Sequence, residues 1–255
     1  YYFSAYADLC KMGQLQVGEP MNVVVPTGNF GNILAGYYAK HMGLPIQTMV
    51  CASNTNNVLT DFLKTGTYDR NRDFYATTSP SMDILISSNL ERLLYHMSGE
   101  SDAAVRGWMT QLAENGKYTV VMAKIQNEFA AGYCDEAAVA DTIHKTYTDQ
   151  NYLCDTHTAV AVKVYRDYVA QTGDDLPTVI DSTASPYKFS KSVLTAVLEG
   201  NTPQLDEFDM VEELHRITGA AVPAPLAALK DKAVRFTQVC DRENMSQMVF
   251  QLLNL

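Results

Sequence analysis

The feature that most constrains this chain is one unit over residues 22–51. Asn22-Val23-Val24-Val25-Pro26 is a β-branched run, and Thr27-Gly28-Asn29-Phe30-Gly31-Asn32 is a tight polar loop. Residues 33–42 read as a helix ended by Gly43, and residues 44–51 form a second apolar run. A strand that met water on one face would alternate polar and apolar residues; these do not, so the unit predicts a parallel sheet covered on both faces. The chain is α/β in class.

The remaining pattern extends that frame. Residues 1–13 carry helical periodicity, Asn54 to Asn57 is an amide-rich turn opening a helix over residues 58–64, and residues 84–97 are amphipathic. Acidic helices are expected over residues 101–115 and 134–150, with residues 118–122 a short strand or a connection between them. A helix over residues 158–171, a buried strand at Thr178-Val179-Ile180 and a helix over residues 190–198 follow. Past residue 201 the pattern is two helices joined by Pro223-Ala224-Pro225. The expected organisation is a main α/β domain over residues 1–200 and a helical C-terminal extension over residues 201–255.

At 255 residues the chain is long enough for a substantial core, and 19 basic against 29 acidic residues give a net charge of −10. Without a basic stripe, nucleic acid and anionic membrane surfaces are excluded as expected partners. No apolar run reaches the ~20 residues of a membrane span. The five cysteines (Cys10, Cys51, Cys134, Cys154 and Cys240) are odd in number and contain no CxxC, which argues for a reduced, cytoplasmic setting and against a zinc site. Tyr1-Tyr2-Phe3 opens the chain without Met inside an apparent helix, as expected for the remainder of a longer protein.

The loop over residues 27–32 carries the strongest chemical signal. Placed between a strand and a helix, its backbone N–H groups and the helix N-terminus converge on one point, as a phosphate requires. Gly28 and Gly31 are expected to supply positive φ and close approach. The string is neither a Walker loop nor GxGxxG, so a ligand smaller than a nucleotide is favoured; a purely structural turn is the other reading. His157, in Asp155-Thr156-His157-Thr158, is read as a structural hydrogen-bonded residue, with general acid–base work the alternative. Asn54, Asn56 and Asn57 read as turn and cap residues.

Five ordered segments resemble the threonine synthase family: the opening Tyr1-Tyr2-Phe3, the loop Pro26 to Asn32, Ala52-Ser53-Asn54-Thr55-Asn56-Asn57-Val58-Leu59, Ser79-Pro80-Ser81-Met82-Asp83-Ile84 through Ser87-Ser88-Asn89-Leu90-Glu91-Arg92, and Ser182-Thr183-Ala184-Ser185-Pro186-Tyr187-Lys188-Phe189. The tail around Thr218-Gly219 and Pro223 is similar as well. The resemblance implies a fold type II pyridoxal 5'-phosphate (PLP) enzyme that converts O-phosphohomoserine and water to threonine and phosphate. It further implies that Thr27, Gly28, Asn29, Phe30, Gly31 and Asn32 hold the cofactor phosphate. Thr183, with Ser185 as second choice, then faces the pyridine nitrogen.

The Ser87-Ser88-Asn89 turn with Arg92 one helical turn on makes Asn89 and Arg92 candidates for an anionic substrate, and Lys188, after a Ser/Thr-rich loop, is placed at most near the phosphates. For Arg92 a surface ion pair is the bland alternative, and for Lys188 a solvated charge. The family's cofactor-binding lysine lies before the phosphate loop, where this chain has only Lys11 in an unlike context. The catalytic lysine is therefore expected upstream, and these 255 residues are expected to be inactive alone. A homodimer is the expected assembly. The competing readings are another fold type II lyase such as a threonine dehydratase, and a non-catalytic phosphate-binding module.

Overall fold

The computed structural model describes residues 1–121 and 125–255. Helix α1 (Tyr2–Lys11) leads into strand β1 (Met21–Pro26), helix α2 (Gly31–His41) and strand β2 (Ile46–Ser53). This is the strand, helix, strand unit the sequence predicts. Next come α3 (Val58–Thr65), β3 (Thr67–Asp69), α4 (Leu90–Met97), α5 (Asp102–Asn115), β4 (Lys117–Thr119), β5 (Phe129–Tyr133) and α6 (Glu136–Gln150). Then follow α7 (Thr156–Thr172), β6 (Thr178–Ile180), α8 (Ser190–Val197), α9 (Glu207–Thr218), α10 (Ala224–Ala227) and α11 (Met245–Leu253).

The main sheet is parallel, in the order β5-β2-β1-β6, with Val24 opposite Val50 and Ile180, and Val50 opposite Ala130. Both pleats are buried, which explains the unbroken apolar strands. Val23, Val25, Met49 and Cys51 join a cluster with Phe30, Ile33, Tyr37 and Phe62. The opposite pleat faces α7, where a Cβ at Gly132 would lie 2.8 Å from Val164 Cγ1. Strands β3 and β4 form a separate antiparallel ribbon whose Tyr68 and Tyr118 rings stack at 5.3 Å.

Local chemistry places the helix starts. Side chains of Ser101, Asp135, Asp155 and Asp206 accept backbone N–H bonds at the starts of α5, α6, α7 and α9. Among the described residues no helix is long and apolar enough to cross a membrane.

The structure corrects several expected elements. Helix α4 begins at Leu90 rather than residue 84. The six residues before it are claimed by tertiary bonds: the Tyr68 hydroxyl donates to Leu85 C=O, and Ser87 Oγ donates to Gly28 C=O. Strand β5 was not expected, because Ala130, Ala131 and Gly132 carry weak strand signals. Of residues 118–122, Tyr118 and Thr119 belong to β4, while Met122 lies outside the described residues.

The chain divides into two compact units, residues 1–220 and 221–255. Helix α9 belongs to the first and packs on α8. Where a single helix was expected after Pro223-Ala224-Pro225, the second unit has four-residue α10, an irregular stretch ending in a 3-10 turn at Arg242–Asn244, and α11, with no fully buried residue.

Candidate functional site

The sheet's C-terminal edge ends in the loop over residues 27–32. The Thr27 N–H donates to Ala52 C=O at 2.8 Å and its hydroxyl to Val25 C=O at 2.7 Å, so the loop starts from a fixed point on the sheet. Phe30 then adopts φ 64°, ψ 4°, the left-handed region, while its ring is buried against Phe129 at 5.8 Å. A bulky residue there is strained by about 1–2 kcal/mol and persists only where packing over-determines it. Helix α2 makes its first bond from Leu34 N–H to Phe30 C=O. The N–H groups of Gly31, Asn32 and Ile33 therefore have no intrahelical acceptor. Asn29, Gly31 and Asn32 are exposed. The result is an anion nest at a helix N-terminus.

The glycine expectation needs correction. Positive φ falls on Phe30; neither Gly28 nor Gly31 has it. Gly28 is required for close approach to the chain itself, since an added Cβ would lie 2.8 Å from Ser81 O. At Gly31 the nearest atom would be Asn89 Nδ2 at 3.4 Å, ordinary contact.

Just past β6, Asp181 meets this loop. Tyr2 places its hydroxyl 2.9 Å from Asn32 Oδ1 and 3.0 Å from both Asn32 O and Asp181 Oδ2, and Asn32 Nδ2 donates to Asp181 Oδ2 at 2.9 Å. Burial, and then the neighbouring Asp181 charge, push the Tyr2 phenol far up; burial also lifts Asp181 above the usual carboxylate range, outweighing its bonds from Tyr2 and Asn32. A cleft of about 440 Å³ opens beside this cluster, lined by Tyr1, Asn32, Asp181, Ser182 and Thr183. Thus one cleft joins Asn32 of the loop to Thr183.

A model of the C-terminal part of threonine synthases matches residues 158–249. Threonine synthase-like 1 of Homo sapiens is 44% identical over 201 residues, 77% of this chain and 27% of that protein. Threonine synthase of Saccharomyces cerevisiae is 38% identical over 235 residues, 86% of this chain and 45% of that one. A PLP-bound threonine synthase structure from Brucella melitensis aligns with TM-score 0.81 at 36% identity, over 98% of this chain and 49% of that chain. The chain belongs to the threonine synthase family. It spans about half the length, or less, of these relatives. The parallel sheet flanked by helices is the fold of the threonine synthase structures.

The other expected site residues of this family member do not all line the cleft. Thr183 is exposed in its lining, while the Ser185 hydroxyl accepts from Tyr187 N–H at 3.3 Å at the start of a 3-10 turn. Asn89 donates its backbone N–H and Nδ2 to Asn29 C=O at 3.2 and 2.9 Å, so it braces the phosphate loop. Arg92 is exposed with no ion pair among the described residues. Lys188 is exposed and lies 5.4 Å from the Phe189 ring centre.

Asn54, Asn56 and Asn57 are not helix caps. Asn57 at the start of α3 makes no side-chain cap bond and instead accepts from Arg72 at 2.9 Å. Asn54 and Asn56 tie the loop over residues 75–83 together through Asp83 Oδ1, at 2.8 and 3.0 Å. His157 is buried and engaged at both nitrogens: Nδ1 lies 3.0 Å from Asp155 Oδ1, and Nε2 accepts from Ser81 N–H at 3.2 Å. That is the structural role. Sequence reasoning missed Tyr2 and Asp181; a carboxylate one residue past a buried strand was the only available signal.

Proposed function

We propose that the protein acts in the threonine synthase reaction, O-phosphohomoserine and water to threonine and phosphate, with PLP as cofactor. The observation that carries this reading is the shared cleft. The N–H groups of Gly31, Asn32 and Ile33 suit a phosphate dianion, and Thr183 presents a hydroxyl within the same space. PLP fits this donor set, and when bound it supplies the electron sink that loss of the substrate's phosphate and addition of water require. Thr183 would hydrogen-bond the pyridine nitrogen without the charge a carboxylate brings, and Asn89 keeps the loop's carbonyl turned away from the anion.

Arg92 and Lys188, both exposed, would steer the doubly charged substrate phosphate. Among the described residues no lysine lines the cleft. The reading therefore assigns the cofactor's covalent lysine to chain beyond these residues, consistent with relatives about twice as long.

The test has two arms. PLP should bind the 255-residue chain, and the Gly31→Asp variant should lose it: two or three charge-assisted bonds at ~1.5–3 kcal/mol each amount to a hundredfold or more. Borohydride reduction followed by intact mass should show no stoichiometric adduct on one lysine. Full PLP binding by the Gly31→Asp protein would remove the loop from the site. Threonine formation from O-phosphohomoserine by the full-length protein tests the reaction itself.

A further inference from the structure

The buried pair Asp155 and His157 touches neither the cleft nor the phosphate loop, yet its hydrogen bonds run to both. On one side, His157 Nε2 accepts from Ser81 N–H at 3.2 Å. The carbonyl of that same Ser81 is the group against which Gly28 is packed, where an added Cβ would come within 2.8 Å. Further along the segment, Ser87 Oγ donates to Gly28 C=O at 2.9 Å and Asn89 braces Asn29. The Ser81 peptide thus sits with its N–H on the imidazole and its C=O against the phosphate loop.

On the other side, Asp155 Oδ2 takes a short bond from the Thr158 hydroxyl, and Thr158 Oγ1 lies 3.2 Å from Ser182 Oγ, the residue before Thr183. Asp155 Oδ1 also accepts from the His157 backbone N–H at 2.8 Å, which fixes the start of α7 and the ring at once. With Asp155 ionised and contacting Nδ1, the neutral ring carries its proton on Nδ1 and leaves Nε2 as an acceptor. The ring is further held against Phe189 at 4.8 Å, beside Lys188.

We infer that His157, oriented by Asp155, is a positioning residue that sets the phosphate loop through the Ser81 peptide, while Asp155 sets Thr183 through Thr158 and Ser182. The inference rests on the reading of the loop as the cofactor-phosphate site. Its consequence is specific to the acceptor: a side chain at position 157 that cannot accept from the Ser81 N–H removes the brace, even where it fills the same space.

The experiment compares wild type with His157→Gln, which keeps an acceptor, and His157→Phe, which keeps a ring without one. PLP affinity is measured for each, and backbone amide shifts of residues 28–33 and 81 are followed without ligand. His157→Gln should stay near wild type in both readouts, and His157→Phe should bind roughly tenfold or more weakly and shift the loop amides.

Wild-type affinity in His157→Phe would overturn the inference, as would loop amides unmoved in that variant. If the phenylalanine variant does not fold, the glutamine variant decides: affinity and loop amides near wild type support the inference, and a loss of about tenfold or more overturns it. If wild type itself does not bind PLP, the functional reading falls, and the amide shifts alone decide whether His157 sets the loop.

Discussion

A methyl group at Gly28 would press on a backbone carbonyl at 2.8 Å, whereas one at Gly31 would meet only the amide of a side chain at 3.4 Å. The two glycines of one loop thus differ in what they tolerate. Gly28→Ala should destabilise the fold by about 1–3 kcal/mol, because the Ser81 backbone cannot rotate away. Gly31→Ala, at the first position of α2, should stay within about 1 kcal/mol of wild type or gain slightly from helix propensity. Urea denaturation of both checks this, and equal losses would contradict it. At Thr183 the hydroxyl is the proposed partner of a ring nitrogen, so Thr183→Val should weaken PLP binding by an amount worth ~1–3 kcal/mol while Thr183→Ser remains near neutral. Valine binding PLP as wild type does would reduce Thr183 to a turn residue.

Helix α7 joins the sheet's rear face to the cleft, and its start depends on Asp155. Although burial pushes the carboxyl up, bonds from the His157 ring, the Thr158 hydroxyl and the His157 N–H hold it below the ordinary carboxylate value. A depressed folded value means that the contribution is present above the unfolded pKa of ~3.9 and is lost as the pH falls through the folded one. Asp155→Asn should therefore lower thermal stability at neutral pH, with the gap to wild type narrowing below about pH 4. Melting curves across that range test the sign. Helix α4 shows the reverse dependence on context. The amphipathic pattern from residue 84 is real, but Tyr68, Gly28 and Ser87 draw the first six residues into tertiary bonds. Periodicity cannot report such competition, because the partners are 17 to 59 residues away.

Across the molecule the cysteines report which regions are closed. Cys51, Cys134 and Cys154 are buried and burial pushes each thiol up to about 12, whereas Cys10 and Cys240 are half-buried. Alkylation near neutral pH should modify Cys10 and Cys240 first and reach the other three only on unfolding. Labelling of Cys51 in the folded protein would show that β2 opens. The unit over residues 221–255, with no fully buried residue, should also be the first cut in limited proteolysis, leaving a resistant product that ends near residue 220. Early cleavage within the sheet would contradict the division.

The sequence by itself determined the α/β class, the parallel strand, helix, strand unit and the tight loop within it, because each depends on the order and type of residues within about thirty positions. Side-chain caps set the starts of α5, α6, α7 and α9, bounds that periodicity alone does not give. The tertiary structure decided the rest. Only folding places Phe30 in the left-handed region, since the strain there is offset by packing its ring on Phe129, 99 positions on. Only folding brings Tyr2 to Asp181, 179 positions apart, and sets Ser81 between His157 and Gly28. A hydrogen bond over such a separation leaves no periodicity in either segment. Its partners become visible when the burial of both sheet faces fixes where each segment lies.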